Sequence, residues 1–346
     1  MKTEVLTIND VQTQKEGLSR AAEIIRRGGL VVFPTETVYG IGGDATSAAA
    51  ADAIYRAKGR PSDNPLIVHL AAPEDAEAYA VTNEAYYRLA AQFMPGPLTV
   101  ILPKKDTVPH AVTGGLSTVA VRCPSHPVAQ ALIKAAGVPI AAPSANLSGR
   151  PSPTLASHVV EDLAGRVDMI LDGGASKVGL ESTIVALDGE EGVLLRPGAI
   201  TYDALCCVLA RVTVAPAVLA ALPQNEKPLS PGMKYRHYAP RADLILLDGA
   251  DSDVAAFLQA AAKQQGVGIL CFDEEQPRLS GNATLFPIGA KNDLASHARR
   301  LFAVLREADT HPEIHTIYAH LPQKEGLGLA LYNRLIRAAA HTVKKV

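Results

Sequence analysis

Apolar residues recur along the chain at two spacings, one near 3.6 and one running continuously, and the two alternate. Residues 17–27 place Leu18, Ala22 and Ile25 on one face and run into Gly28-Gly29, which predicts a helix with a glycine stop. The unbroken run Leu30-Val31-Val32-Phe33 predicts a buried strand, ended by Pro34 and followed by the polar loop Thr35-Glu36-Thr37. Residues 47–57 read as a second helix with Thr46 or Ser47 as N-cap. Short apolar runs at 66–70, 98–102, 118–122 and 138–142 predict strands, and 83–93 and 127–136 predict helices between them. Further strands are expected at 169–171, 182–187 and 192–196. Some of these strands lie close enough in sequence to pair antiparallel, so the first part of the chain reads as a mixed α/β sheet with helices packed on it.

The pattern breaks over residues 222–243, where four prolines and few aliphatics mark a linker. That linker is also rich in Lys, Arg, His and Tyr, which a passive spacer does not need. Beyond it, strands at 244–247, 267–272 and 314–320 alternate with helices at 251–265, 292–307 and 327–340. Repeated strand–helix units predict a small, parallel, Rossmann-like α/β domain.

Composition narrows the function classes. At 346 residues, the chain is long enough for two domains. A net charge of −2 gives no global basic excess, so stable binding of a long polyanion such as tRNA is not expected. Cys123, Cys206, Cys207 and Cys271 include no CxxC pair, which suits reduced thiols better than zinc or disulfides. The first residues show no apolar signal core and no stretch has the length of a membrane span, so the expected compartment is the cytoplasm.

Polar residues gather near the ends of the first domain's predicted strands. They are Thr35, Thr37, Lys58, Arg60, Asn64, His69, Thr118, Arg122, Ser144, Asn146, Ser182 and Arg196. Four cations on separate segments suit a polyphosphate, because Arg offers paired donors to phosphate oxygens. Taken one at a time, each has a plainer reading. Lys58 and Arg60 read equally as a solvated helix end, His69 as a structural histidine, Ser144 to Asn146 as a turn, and Arg122 and Arg196 as surface charge. No GxxxxGK[ST], GxGxxG, GxSxG, HExxH or kinase set is present, and Gly326-Leu327-Gly328 reads as a helix start. The residues alone therefore imply an anion pocket and no named reaction.

Five runs of residues carry a resemblance. Pro34-Thr-Glu-Thr-Val-Tyr-Gly40, Lys58-Gly-Arg-Pro-Ser-Asp-Asn-Pro65, Pro143-Ser-Ala-Asn-Leu-Ser-Gly149, Glu181-Ser-Thr183 and Arg196-Pro-Gly198 resemble, in order and spacing, the YrdC-type threonylcarbamoyl-AMP synthases. The segment Ser230-Pro-Gly-Met-Lys-Tyr-Arg-His-Tyr-Ala-Pro240 with its Rossmann-like tail resembles the long two-domain form. The resemblance implies a YrdC-like catalytic domain at 1–208, a linker or lid at 209–242 and a C-terminal domain at 243–346. It implies that L-threonine, bicarbonate and ATP are condensed to threonylcarbamoyl-AMP and pyrophosphate, for a separate transferase acting on adenosine 37 of ANN-decoding tRNA. It casts Lys58 and Arg60 as catalytic. It sets Arg60, Asn64, Thr118, Ser144, Ser152, Arg196 and Tyr235 against ATP. It sets Thr37, His69, Arg122, Ala142 (through its backbone) and Ser182 against threonine, with Arg122 as the carboxylate clamp. Mg2+ is expected with ATP and held mainly by the nucleotide, since no carboxylate cage is visible. Residues 230–240 are expected to close over the pocket, because a carbamate is labile in water. The rivals are the carbamoyl-adenylate-forming enzyme of hydrogenase maturation, whose zinc-finger modules this chain lacks, and an RNA-binding module, which the charge and the want of an aromatic stacking motif disfavour.

Overall fold

The computed structural model of the chain describes residues 2–220 and 238–346. They form two compact units, one of residues 2–148 with 152–220, the other of 149–151 with 238–346.

The first unit runs β1 (Glu4–Thr7), α1 (Lys15–Arg26), β2 (Val31–Phe33), β3 (Gly40–Asp44), α2 (Ala48–Lys58), β4 (Ile67–His69), α3 (Glu84–Phe93), β5 (Leu98–Pro103) and β6 (Thr118–Arg122). It continues with α4 (Pro127–Ala136), β7 (Ile140–Ala142), α5 (Ala156–Leu163), β8 (Met169–Asp172), β9 (Thr183–Asp188), β10 (Glu191–Arg196), α6 (Tyr202–Cys206) and β11 (Arg211–Val214). Its strands join in one sheet, in the order β1-β8-β2-β3-β7-β4-β6-β5-β9-β10-β11. The sheet is mixed: β4 is parallel to β6 and antiparallel to β7, while β5 is antiparallel to β6 and parallel to β9.

Helix ends follow local chemistry. Ser47 caps α2 by accepting from the Ala50 amide at 3.2 Å, and Gly59, at φ 62°, ends it in the left-handed region that other residues avoid. Asn83 caps α3 in the same way through the Tyr86 amide. Helices α1 and α4 bury Leu18, Ala22, Ile25, Leu132, Ile133 and Ala136 against Val31, Phe33, Ile140, Ala142, Met169 and Leu171 of the sheet. Each large aliphatic side chain buried there contributes about 2 kcal/mol.

Five elements of this unit, β1, β3, α5, α6 and β11, escaped the pattern reading, three of them for legible reasons. Strand β3 is the glycine-rich Gly40-Ile41-Gly42-Gly43-Asp44, a composition poor in strand formers. Its glycines answer to packing: a Cβ on Gly42 would sit 2.5 Å from Ile140 Cγ2 and 2.7 Å from the Phe33 ring. Helix α5 follows a proline-rich stretch that obscured it. Strand β11 lies inside the segment assigned to the linker, so the sheet runs past residue 208. It pairs with β10 and buries Val212, giving β10 a second hydrogen-bonded neighbour.

The second unit runs β12 (Asp243–Asp248), α7 (Asp251–Ala261), β13 (Val267–Cys271), β14 (Thr284–Pro287), α8 (Leu294–Ala308), β15 (Thr316–His320), α9 (Gly326–Ala338) and β16 (Val343–Lys345). Its five strands, in the order β14-β13-β15-β12-β16, are parallel at every pairing, as strand–helix alternation requires. Gly326 opens α9, and a Cβ on Gly328 would meet the Gln323 carbonyl at 2.6 Å, so that glycine serves a close helix–loop approach. All four cysteines are free thiols, with Cys123 and Cys271 buried. Among the described residues, no helix is long and apolar enough to cross a membrane.

Candidate functional site

Strand register sets His69, Arg122 and Thr118 on one face of the sheet. Residues paired directly across strands share a face. His69 of β4 pairs with Arg122 of β6 and Ile140 of β7. Two residues along, Ile67 pairs with Ala120 and Ala142, and beyond them Thr118 pairs with Pro103 of β5. Helices α1 and α4 cover this face as far as Ile140 and Ala142. Over β4, β6 and β5 the face carries His69, Arg122 and Thr118 beside the apolar Ile67, Ala120 and Ile101. His69, Arg122 and Arg196 do end their strands, whereas Thr118 begins β6.

Charge on this unit is mostly positive where it is buried. Lys58, Arg60, Arg122 and Arg196 are buried, and Glu36, Asp162 and Glu181 are the buried carboxylates among the described residues. The solvated readings of Lys58 and Arg60 are thereby excluded.

Arg122 is the best-defined of these. Its Nη2 donates to Glu36 Oε1 at 2.7 Å, and Glu36 Oε2 accepts from the Ser125 amide at 3.1 Å. Burial is the largest influence on Glu36 and opposes its ionisation, but the Arg122 guanidinium and the backbone amides together hold the carboxyl below its usual range. Arg122 Nε is buried and meets no acceptor among the described residues, so one edge of the fork is neutralised and the other is left with a donor for an incoming oxygen. Glu36 was missed in the sequence, where it reads as the middle of an exposed polar loop. The same loop folds on itself, with Thr35 Oγ1 2.8 Å from Thr37 Oγ1 and donating to the Val38 carbonyl at 2.6 Å. Thr37 is fully buried.

His69 stands beside Arg122. Its Nδ1 lies 3.0 Å from the Ile67 carbonyl, which can only accept, so Nδ1 carries the proton and Nε2 is the acceptor. Burial, and then the Arg122 charge, lower its pKa from 6.5 to about 3. The imidazole is therefore neutral at physiological pH and acts as a hydrogen-bonding group. Between pH 6.5 and about 3 the unfolded chain takes up a proton that the native His69 refuses. Stability from this group is complete above pH 6.5 and falls on acidification, by about 1.4 kcal/mol per pH unit inside that window. We expect His69→Gln to flatten the fall of Tm between pH 6.5 and 4, as read by thermal melts. Parallel curves for the two proteins would refute the assignment.

The other residues form short local networks. Ser182 Oγ lies 2.7 Å from Thr99 Oγ1 and accepts from Arg196 Nη2 at 3.1 Å, while Arg196 Nε donates to the Ser182 carbonyl at 3.0 Å. Thr99 is thus a further member that sequence reasoning did not single out; its one signal was a threonine inside an apolar strand. Ser152 Oγ donates to Glu181 Oε1 at 2.5 Å, next to Ser182 in the chain. Gly198 of the Arg196-Pro197-Gly198 turn lies so close that a Cβ would meet the Thr183 amide at 2.6 Å. Lys58 Nζ donates to the carbonyls of Ser144 and Asn146, each at 2.5 Å, and Ser144 Oγ donates to Asn146 Oδ1 at 2.5 Å. Arg60 donates to the carbonyls of Asn64 and Pro65 at 3.3 Å, and Asn64 Oδ1 is buried with no donor near it among the described residues. The hydrogen bonds thus group the expected residues into separate local networks, Arg122 with Glu36, Ser182 with Arg196 and Thr99, Ser152 with Glu181, Lys58 with Ser144 and Asn146, and Arg60 with Asn64. Tyr235, with Lys234, Arg236 and His237, lies outside the described residues, as does most of the 230–240 segment expected to act as a lid.

Comparison with known proteins adds independent support. Residues 23–198 match the Sua5/YciO/YrdC family, described as Telomere recombination, and residues 200–340 match the family described as Threonylcarbamoyl-AMP synthase, C-terminal domain. The chain is 43% identical over 336 residues to a Threonylcarbamoyl-AMP synthase of Pyrococcus abyssi, covering 94% of this chain and 95% of that one. It is 44% identical over 346 residues to the Threonylcarbamoyl-AMP synthase of Bacillus subtilis, covering 99% and 96%. The crystal structure of P. abyssi Sua5 complexed with L-threonine superposes with a TM-score of 0.89 at 40% identity, over 100% of both chains.

Proposed function

We infer the chemistry from one premise: the chain belongs to the threonylcarbamoyl-AMP synthase family, in its long two-domain form. It is a nucleotidyltransferase that condenses L-threonine, bicarbonate and ATP to threonylcarbamoyl-AMP and pyrophosphate. The rival readings are not favoured, since the relatives that match both domains carry the synthase name.

The reaction asks for two steps. The threonine amine adds to the bicarbonate carbon and water leaves, giving a carbamate. A carbamate oxygen then attacks the α-phosphorus of ATP, and the bond to the pyrophosphate oxygen breaks. Neither step needs a covalent nucleophile on the protein; both need reactants held in line and negative charge neutralised. The observation that carries our assignment of residues is Arg122. Glu36 fixes one side of its guanidinium and Nε is buried without an acceptor, beside a neutral His69. We assign the threonine carboxylate to Arg122 and the threonine amine or carbamate to His69 Nε2, with Thr37, Ser182 and the Ala142 backbone around it. Arg60, Asn64, Thr118, Ser144, Ser152 and Arg196 take the nucleotide, and Lys58 and Arg60 serve the transfer.

Mg2+ is part of the proposal. The groups here are cations, hydroxyls and amides, with the carboxylates Glu36 and Glu181 already engaged by Arg122 and Ser152, which suits phosphate better than a divalent ion, so the metal would come with the nucleotide and supply charge neutralisation there. The product is an activated acyl group, and we propose that a separate transferase moves it to the tRNA adenosine.

Pyrophosphate release tests the reading. With the purified chain and ATP, release is expected only when both L-threonine and bicarbonate are present. Release that ignores threonine would overturn it.

A further inference from the structure

The second unit holds a cavity of about 260 Å³, lined by residues of that unit. It opens at the carboxyl ends of the parallel strands β13 and β15, the edge where open α/β sheets bind ligands. Leu270, Ile288, Leu301, Leu331 and Leu335 give it an apolar lining.

One wall is a slab of rings. Phe272 stacks on His320 at 4.5 Å and 26°, and on His297 at 5.1 Å and 18°. Both histidines are fixed, His320 Nε2 by Glu275 Oε1 at 2.8 Å and His297 Nε2 by the Ala290 carbonyl at 2.8 Å. The slab is therefore rigid, and since both imidazoles already stack on Phe272, a flat aromatic body gains by packing on the outer face of His320 and against the Phe272 edge.

Polar groups sit at the mouth. Lys291 Nζ pairs with Asp251 Oδ2 at 2.6 Å, with the two side chains 47% and 80% exposed. A pair so exposed contributes about 0–1 kcal/mol, so opening it costs little. Opened, it presents one ammonium and one carboxylate side by side, the complement of a zwitterion. A polyphosphate fits poorly, because Asp251 and Glu275 stand against the single lysine. Leu294, 38% exposed, leaves apolar surface at the same mouth.

We propose that this cavity binds an aromatic α-amino acid, its ring against Phe272 and His320, its carboxylate on Lys291 and its ammonium on Asp251. Every residue lining the site belongs to the C-terminal unit.

The chain contains no tryptophan, so indole fluorescence reports the ligand alone. Titrating full-length protein into L-tryptophan is expected to give a saturable change that L-phenylalanine reverses and that saturating L-threonine and ATP leave intact. Lys291→Met and Asp251→Asn, both at exposed positions, are expected to weaken binding about tenfold each at unchanged Tm, the effect of one lost charge-assisted contact. Indole, which has the ring and no head, should bind the wild type and Lys291→Met alike. No saturable change, displacement by L-threonine, or equal L-tryptophan affinity in wild type and Lys291→Met would each overturn the proposal.

Discussion

Arg122→Ala is expected to damage both the fold and the reaction, and the two losses can be separated. The substitution leaves Glu36 buried without its cation, the Ser125 amide still donating to it. Removing one partner of a buried ion pair costs about 3–5 kcal/mol. For a unit of this size, that corresponds to a fall in Tm of roughly 6–20 °C. The half-saturating threonine concentration should also rise, by about tenfold to a hundredfold, because the carboxylate loses a charge-assisted donor. Half-saturation by ATP should stay near its wild-type value. The double variant Arg122→Ala/Glu36→Gln removes the stranded charge, so most of the lost Tm should return while the threonine defect persists. Thermal melts and pyrophosphate release at varied threonine read the two effects. An unchanged Tm in the single variant would mean that the pair is not what holds the loop. Recovery of threonine use in the double variant would mean that Arg122 does not clamp the carboxylate.

The pairing behind that prediction shows what the sequence conceals. Arg122 was visible as a cation ending an apolar strand, and the resemblance gave it a ligand. Its partner was not visible. Glu36 lies between two threonines in a loop, 86 positions away, and only the fold brings them together. Thr99 was hidden for a different reason: threonine is an ordinary strand former, and nothing local distinguishes it from its apolar neighbours until Ser182 lies against it. The three central strands of the second unit, β12, β13 and β15, were legible because each is an apolar run set off by helices of the right length, whereas the edge strands β14 and β16 are short and, in β16, exposed and lysine-rich. Strand β3 was not, because its glycines are selected by contact with Phe33 and Ile140 rather than by strand propensity. The placement of the site followed the same rule. Its residue types could be read one by one, but the shared face of His69, Arg122, Ala120 and Ala142 is a matter of register between strands that are far apart in the chain.

Lys58→Met is expected to lower kcat/KM for ATP by about a hundredfold, close to 2.7 kcal/mol of lost transition-state stabilisation, and to do so from a position inside the protein. Lys58 is the last residue of α2, only 2% exposed, and its ammonium is spent on the Ser144 and Asn146 carbonyls at 2.5 Å. Those bonds set the height of the loop that carries Ser144, which we assign to the nucleotide. Methionine fills the same space without donors, so two carbonyls lose their partner, at about 1–3 kcal/mol for each one left buried and unsatisfied. The loop is then free to shift, and a shift of about 1 Å near reacting groups is enough for a hundredfold loss. A lysine that touched phosphate directly would give a similar single-variant result, so a double-variant cycle with Ser144→Ala decides between them. If Lys58 acts through the loop, the loss from Ser144→Ala shrinks in the Lys58→Met background, with a coupling of about 1–2 kcal/mol. If Lys58 acts on ATP by itself, the two losses add and the positioning role is wrong.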